Sequence, residues 1–97
     1  MSNAPTRTVL IADGSADNRL PLQQALDAAG FAVTEVGNGV EAIDALKRSP
    51  FDVVVTDVWM PGADGIEVIQ SARRLSPLAT IFVVTGGGPG MTIASAA

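Results

Sequence analysis

Cysteine and histidine are both absent from the 97 residues. Their absence removes thiol chemistry, zinc fingers and any His-dependent triad, and leaves packing rather than disulfides to hold the fold. Basic residues are scarce: six Lys and Arg stand against ten Asp and Glu, a net charge of −4. A chain that binds nucleic acid directly carries a basic face, so none is expected as a partner. No apolar run approaches the roughly 20 residues that span a bilayer. Nor does a basic patch followed by an apolar stretch open the chain, so neither a membrane partner nor a signal peptide is expected, and the expected location is the cytoplasm. What is present is 47% apolar and 16% charged residues, which suits one globular domain and excludes disorder by composition. Residues 1–7 read as a leader, in which Met1-Ser2-Asn3-Ala4 resembles an expression-vector remnant. Residues 8–97 read as the domain, incomplete at its C-terminus.

Thr8-Val9-Leu10-Ile11-Ala12 is apolar and β-branched and stops at Asp13-Gly14-Ser15, as strands buried on both faces do. From Asp17 to Ala29 the period becomes helical: Leu22, Ala25, Leu26 and Ala29 share a face, and Gly30 supplies the stop. Residues 31–36 predict a second strand, at an edge. Asn38 and Glu41 form a variant capping box for a second helix with a stripe of Val40, Ile43 and Leu46, closed by Lys47, Arg48 and Pro50. Residues 53–57 are the most β-branched stretch, and so the predicted sheet centre. After a turn at Met60-Pro61-Gly62, Asp64 and Glu67 cap a third helix with a stripe of Ile66, Ile69, Ala72 and Leu75. A fourth strand follows at 80–85, then a glycine-rich loop at 86–90, and Met91-Thr92-Ile93-Ala94 is expected to open a fourth helix. This alternation calls for an α/β fold, a doubly wound parallel sheet with helices on both faces. A chain that finishes there leaves the fourth strand with an open edge, which favours self-association as a homo-oligomer or strand exchange.

Ligands of open parallel sheets bind beyond the carboxyl ends of the strands, near the point where strand order reverses. Those ends carry Asp13 on the first strand, Asp57 on the third and Thr85 on the fourth. If the first and third strands are neighbours, the two carboxylates lie side by side and call for a cation. Mg²⁺ fits, being bound by one or two carboxylates while keeping waters and phosphate oxygens as further ligands. The Thr85 hydroxyl and the backbone N–H groups of Gly86 and Gly87 suit the oxygens of a phosphoryl group. Taken singly, Asp13 reads as a strand-end turn former and Asp57 as a cap; the combination favours a site.

Val9-Leu10-Ile11-Ala12-Asp13, the run from Val53 to Gly65 with its Asp57-x-x-Met60-Pro61-x-x-Asp64-Gly65 signature, and Ile81-Phe82-Val83-Val84-Thr85 resemble the receiver domain of bacterial two-component response regulators. The resemblance covers residues 8–97. It implies a flavodoxin-like three-layer sandwich that lacks the family's last strand and helix. By position, Asp57 would be the phosphoacceptor, charged by a sensor histidine kinase or phosphotransfer protein, with signalling to a downstream protein target rather than catalysis as an enzyme. Asp13, Asp57 and the backbone carbonyl of Trp59 would hold Mg²⁺. Thr85 would be the switch hydroxyl, and Pro61 and Gly65 would shape the loop after Asp57.

The sequence also departs from the family. The second acidic residue after the first strand falls at Gly14, so weaker Mg²⁺ binding is expected. The phosphate-pairing lysine and the aromatic switch residue would lie beyond residue 97, and Lys47, at the end of the second helix, does not replace the lysine. These departures motivate an alternative, a receiver-like interaction module that works without phosphorylation. Gly37-Asn38-Gly39-Val40-Glu41-Ala42 matches a dinucleotide fingerprint on paper. Glu35 and Glu41 stand where a pyrophosphate would have to bind, so capping is the better use of Asn38. The 86–90 run lacks the Gly-Lys-Ser/Thr of a P-loop and reads as a loop rather than an anion cradle. Trp59 either shields a phosphoryl group from water or packs over the rim as a partner contact. Arg73 and Arg74 read as a solvated helix end, and Met60 as a gap filler.

Overall fold

The alternating pattern folds as β1 (Thr8–Ala12), α1 (Ala16–Ala28), β2 (Ala32–Val36), α2 (Gly39–Arg48), β3 (Val53–Asp57), α3 (Gly65–Leu75), β4 (Thr80–Thr85) and β5 (Thr92–Ser95). The computed structural model describes residues 6–60, 62, 64–85 and 92–95. The sheet order is β2-β1-β3-β4-β5, with β1 to β4 parallel and β5 antiparallel to β4. Order therefore reverses at β1, whose two neighbours are β2 and β3.

Successive strand residues face opposite sides of a sheet, and the two cores sort accordingly. Leu10, Ala12, Val54 and Ile81 face α2 and α3, packing with Ala42, Leu46, Val68 and Ala72. Val9, Ile11, Val55 and Val84 face the other way, where Leu22 and Leu26 of α1 pack on them. Three of these strand residues, Val9, Leu10 and Val54, are fully buried, as a central parallel sheet requires.

The helix caps form where the sequence indicates. Asn38 accepts the Glu41 N–H at 2.8 Å and donates from its amide to the Glu41 carboxylate at 2.7 Å. Asp64 accepts the Glu67 N–H at 3.0 Å. The helix rotations differ from the expected stripes. In α3 the buried positions are Gly65, Val68, Ser71 and Ala72, while Ile66 is exposed. In α2 they are Gly39, Ala42, Ala45 and Leu46, while Val40 is exposed. Each helix opens on a buried glycine, and the positions three and seven residues on follow it inward. On α1, Leu22 and Leu26 are partly buried, but Ala25 and Ala29 are exposed.

The expected fourth helix is a correction. Residues 92–95 form β5, pairing Thr85 with Thr92 and Phe82 with Ser95. The outer edge of β4 presents unpaired N–H and C=O groups. A strand satisfies that edge where a helix over the same residues would leave it bare, and it covers the edge that the sequence leaves open.

Candidate functional site at the carboxyl ends of β1 and β3

Asp13 directly follows β1. Its N–H continues the ladder to the Val36 carbonyl at 3.2 Å, and the residue is only 6% exposed. Oδ1 accepts the Ser15 N–H at 2.9 Å. Ser15 in turn caps α1, its hydroxyl accepting the Asn18 N–H at 3.3 Å. The carboxylate is thus held at a helix N-terminus, where negative charge is favoured.

Asp57 ends β3, half-buried, and its Oδ1 accepts the Trp59 N–H at 3.2 Å. Its carbonyl accepts from the hydroxyl of Thr56, which is fully buried, at 3.0 Å. The β1–β3 register pairs Ala12 with Thr56, so Asp13 and Asp57 are the next residues on two adjacent parallel strands. On the other side of β3, Asp57 pairs with Val84, and Thr85 comes one residue later. The backbones of all three thus meet at one rim. The glycine run at 86–90 and Pro61 lie outside the described residues, as does the Thr85 side chain.

Trp59 is 80% exposed. Met60 is partly buried and packs on the α2–α3 core, the gap-filling role expected of it. Gly14 is exposed and its φ is not positive, so the backbone there accepts any side chain; as glycine it contributes no carboxylate. Lys47 lies in the last turn of α2, at the opposite end of the helix from the rim.

The donor chemistry fits a hard divalent cation. Asp13 and Asp57 each engage Oδ1 in a backbone hydrogen bond, and neither Oδ2 accepts one among the described residues. Two carboxylates are a sufficient protein contribution for Mg²⁺, which keeps several waters. They are also a sparse one: no group of three or more Asp, Glu, His or Cys that could hold a metal occurs among the described residues.

One neighbouring residue escaped the sequence reading. Arg19 of α1 donates from Nη1 to the Asp13 carbonyl at 2.5 Å and from Nε to Glu35 at 3.3 Å. Its only sequence signal is a position in the first turns of the helix after Asp13, and its acidic partner lies 16 residues away on β2.

The family model of the response regulator receiver domain matches residues 9–97. The response regulator receiver protein CpdR of Brucella abortus is 38% identical over 80 residues, 82% of this chain and 67% of CpdR. Other curated relatives are longer proteins, of which this chain spans 6–21%. Among solved structures, a response regulator receiver protein of Sinorhizobium medicae aligns with a TM-score of 0.79 and 36% identity, covering 87% of this chain and 69% of that one. A response regulator of Burkholderia pseudomallei, solved with a phosphorylated aspartic acid, a calcium ion and citrate, aligns with a TM-score of 0.77 and 26% identity, covering 84% and 48%. Two acidic strand ends at the point where sheet order reverses, together with a family match over nearly every residue, make this chain a member of the response regulator receiver domain family.

Proposed function

We propose that this domain is the phosphoacceptor module of a two-component system, with Asp57 as the acceptor. Receiver domains accept phosphoryl groups on an aspartate, and they interact with histidine kinases or phosphotransfer proteins and with downstream targets. One observation carries the assignment to this residue: Asp57 stands at a strand end beside Asp13, on adjacent strands in register, at the point where the sheet order reverses.

In the transfer, an Asp57 carboxylate oxygen attacks the phosphorus of a kinase phosphohistidine or a small phosphodonor. The new O–P bond makes an acyl phosphate. The bond to the donor's nitrogen or oxygen breaks, and the leaving group keeps its electron pair. Asp13, Asp57 and the Trp59 carbonyl would hold Mg²⁺; when bound, the ion supplies neutralising charge to the phosphoryl oxygens. The Trp59 N–H orients the Asp57 carboxylate, and the Ser15 N–H orients that of Asp13 at the same rim. The product carries about −2 charge where the carboxylate carried a single negative charge, and Thr85, at the end of the neighbouring strand, is the proposed switch hydroxyl.

Incubation with a small phosphodonor and Mg²⁺, read by intact mass, tests the assignment. A single phosphoryl adduct is expected on the wild type and none on Asp57→Asn; an adduct that persists in the variant overturns it. Gly14 favours one second reading, an interaction module that works without phosphate. Its mark is a partner bound equally well by the wild type and by Asp57→Ala.

A further inference from the structure

We infer that Arg19 is a positioning residue for the metal-binding carboxylate of Asp13, clamping the end of β1 to the edge strand β2. The inference rests on the metal reading of Asp13 and Asp57 given above.

The end of β1, the end of β2 and the start of the loop after β2 meet at this guanidinium. Nη1 donates to the carbonyl of Asp13 itself, and Nε donates to the carboxylate of Glu35, the penultimate residue of β2. A Cβ built on Gly37 would touch Nη1 at 3.5 Å, so the same group also lies against the start of the β2–α2 loop. The Arg19 N–H donates to the Ser15 carbonyl at 3.1 Å, which roots the side chain in the first turn of α1. With only 18% of its side chain exposed, Arg19 is a held group and not a solvated surface charge.

The physical need for it follows from Gly14. Asp13 is succeeded by a residue with no side chain, so nothing at position 14 fixes the direction of the turn. The Asp13 peptide is instead tied at three points: its N–H to Val36, its carboxylate to the Ser15 N–H and its carbonyl to Arg19. Arg19 is the one of these that reaches across to another strand through a side chain. A planar guanidinium can donate to two acceptors at once in fixed geometry, whereas an ammonium is a point charge on a flexible stem. With one first-strand carboxylate in place of two, the aim of Asp13 carries more of the metal affinity. Groups that orient metal ligands from outside typically change affinity by about 10–100-fold when removed.

Two effects of opposite sign are available, so the test has a direction. A guanidinium close to a cation site repels the cation; a clamp on the ligand strengthens binding. The clamp is the inferred role. Trp59 is the only tryptophan and bonds Asp57 through its N–H, so its fluorescence reports metal binding without phosphorylation. Mg²⁺ is titrated into the wild type, Arg19→Ala, Arg19→Lys and Glu35→Gln, with thermal unfolding in chelator measured in parallel. The Mg²⁺ midpoint is expected to rise about tenfold in Arg19→Ala and less in Arg19→Lys. In Glu35→Gln, which keeps Arg19 but loosens its anchor, it is expected to rise about two- to threefold. An unchanged or lower midpoint in a folded Arg19→Ala overturns the inference, as does a fall in melting temperature with the midpoint held. If Arg19→Ala does not fold, Glu35→Gln decides by the same criterion. A wild type whose fluorescence ignores Mg²⁺ and which forms no Asp57 adduct is a different result, and it counts against the phosphoacceptor reading instead.

Discussion

Gly65 packs directly on the backbone of Asp57: a Cβ at position 65 would fall on the Asp57 carbonyl and on the Cα of Val58. The Gly65 N–H donates to the Val58 carbonyl at 3.0 Å, which seals the contact. The first turn of α3 therefore lies against the strand end that presents the proposed acceptor, and only a residue without a side chain permits it. The same contact sets the rotation of the helix and turns Val68 and Ala72 into the core.

Gly65→Ala is therefore expected to push α3 and the Asp57 strand end apart. Overpacking of this kind costs about 1–3 kcal/mol, because the atoms in the way are backbone and cannot rotate aside. Urea unfolding should show the loss, and Asp57 phosphorylation should slow with it. A variant as stable as the wild type contradicts so close an approach.

Gly14→Asp should tighten Mg²⁺ binding. The position is exposed and its φ is not positive, so the substitution adds a carboxylate beside Asp13 without backbone strain. Unit charges 4 Å apart interact by about 4 kcal/mol at an effective dielectric of 20, before the costs of desolvation and repulsion between carboxylates. A drop of about tenfold in the Mg²⁺ midpoint of the phosphorylation rate is the expected outcome, and no gain refutes it.

Ser76→Ala should destabilise the fold at the opposite end of the sheet. The Ser76 hydroxyl accepts the buried Phe51 N–H at 2.9 Å, and Ser76 itself is 2% exposed. Without that oxygen the amide is left unpaired, at a cost of about 1–3 kcal/mol. Denaturant unfolding should register the change while the Mg²⁺ midpoint stays where it was.

Pro21→Ala should stabilise. Pro21 sits inside α1 and is exposed, so its ring contributes no core packing. It offers no N–H to the Asp17 carbonyl one turn earlier. Proline in a helix interior costs about 3 kcal/mol, partly offset by the stiffer unfolded chain. A rise of about 1–3 kcal/mol in unfolding free energy is expected, and a fall would mean that α1 depends on the break.

Element identity was legible because its signals are local. The β-branched runs, the Asn38 and Asp64 caps and the stops at Gly30 and Pro50 all act within a few residues of themselves. So was the approach of Asp13 to Asp57, once both were seen to end strands of one parallel sheet. Residues 92–95 form a strand in place of the expected helix because their short run carries no period of its own; the open edge of β4 decides their conformation. Helix rotation leaves Ile66 and Val40 exposed against expectation because periodicity finds an apolar stripe without saying which glycine comes down on the sheet.

The order of strands and helices, their ends and the acidic residues they deliver to one rim were determined by the sequence itself, since propensity, capping and hydrophobic period act between near neighbours. Which helix face turns inward, which segment closes the sheet and which cation holds Asp13 were decided only in three dimensions. Gly65 on Asp57, β5 on β4 and Arg19 bridging Asp13 to Glu35 are contacts between different elements, and close packing, not local preference, selects among them.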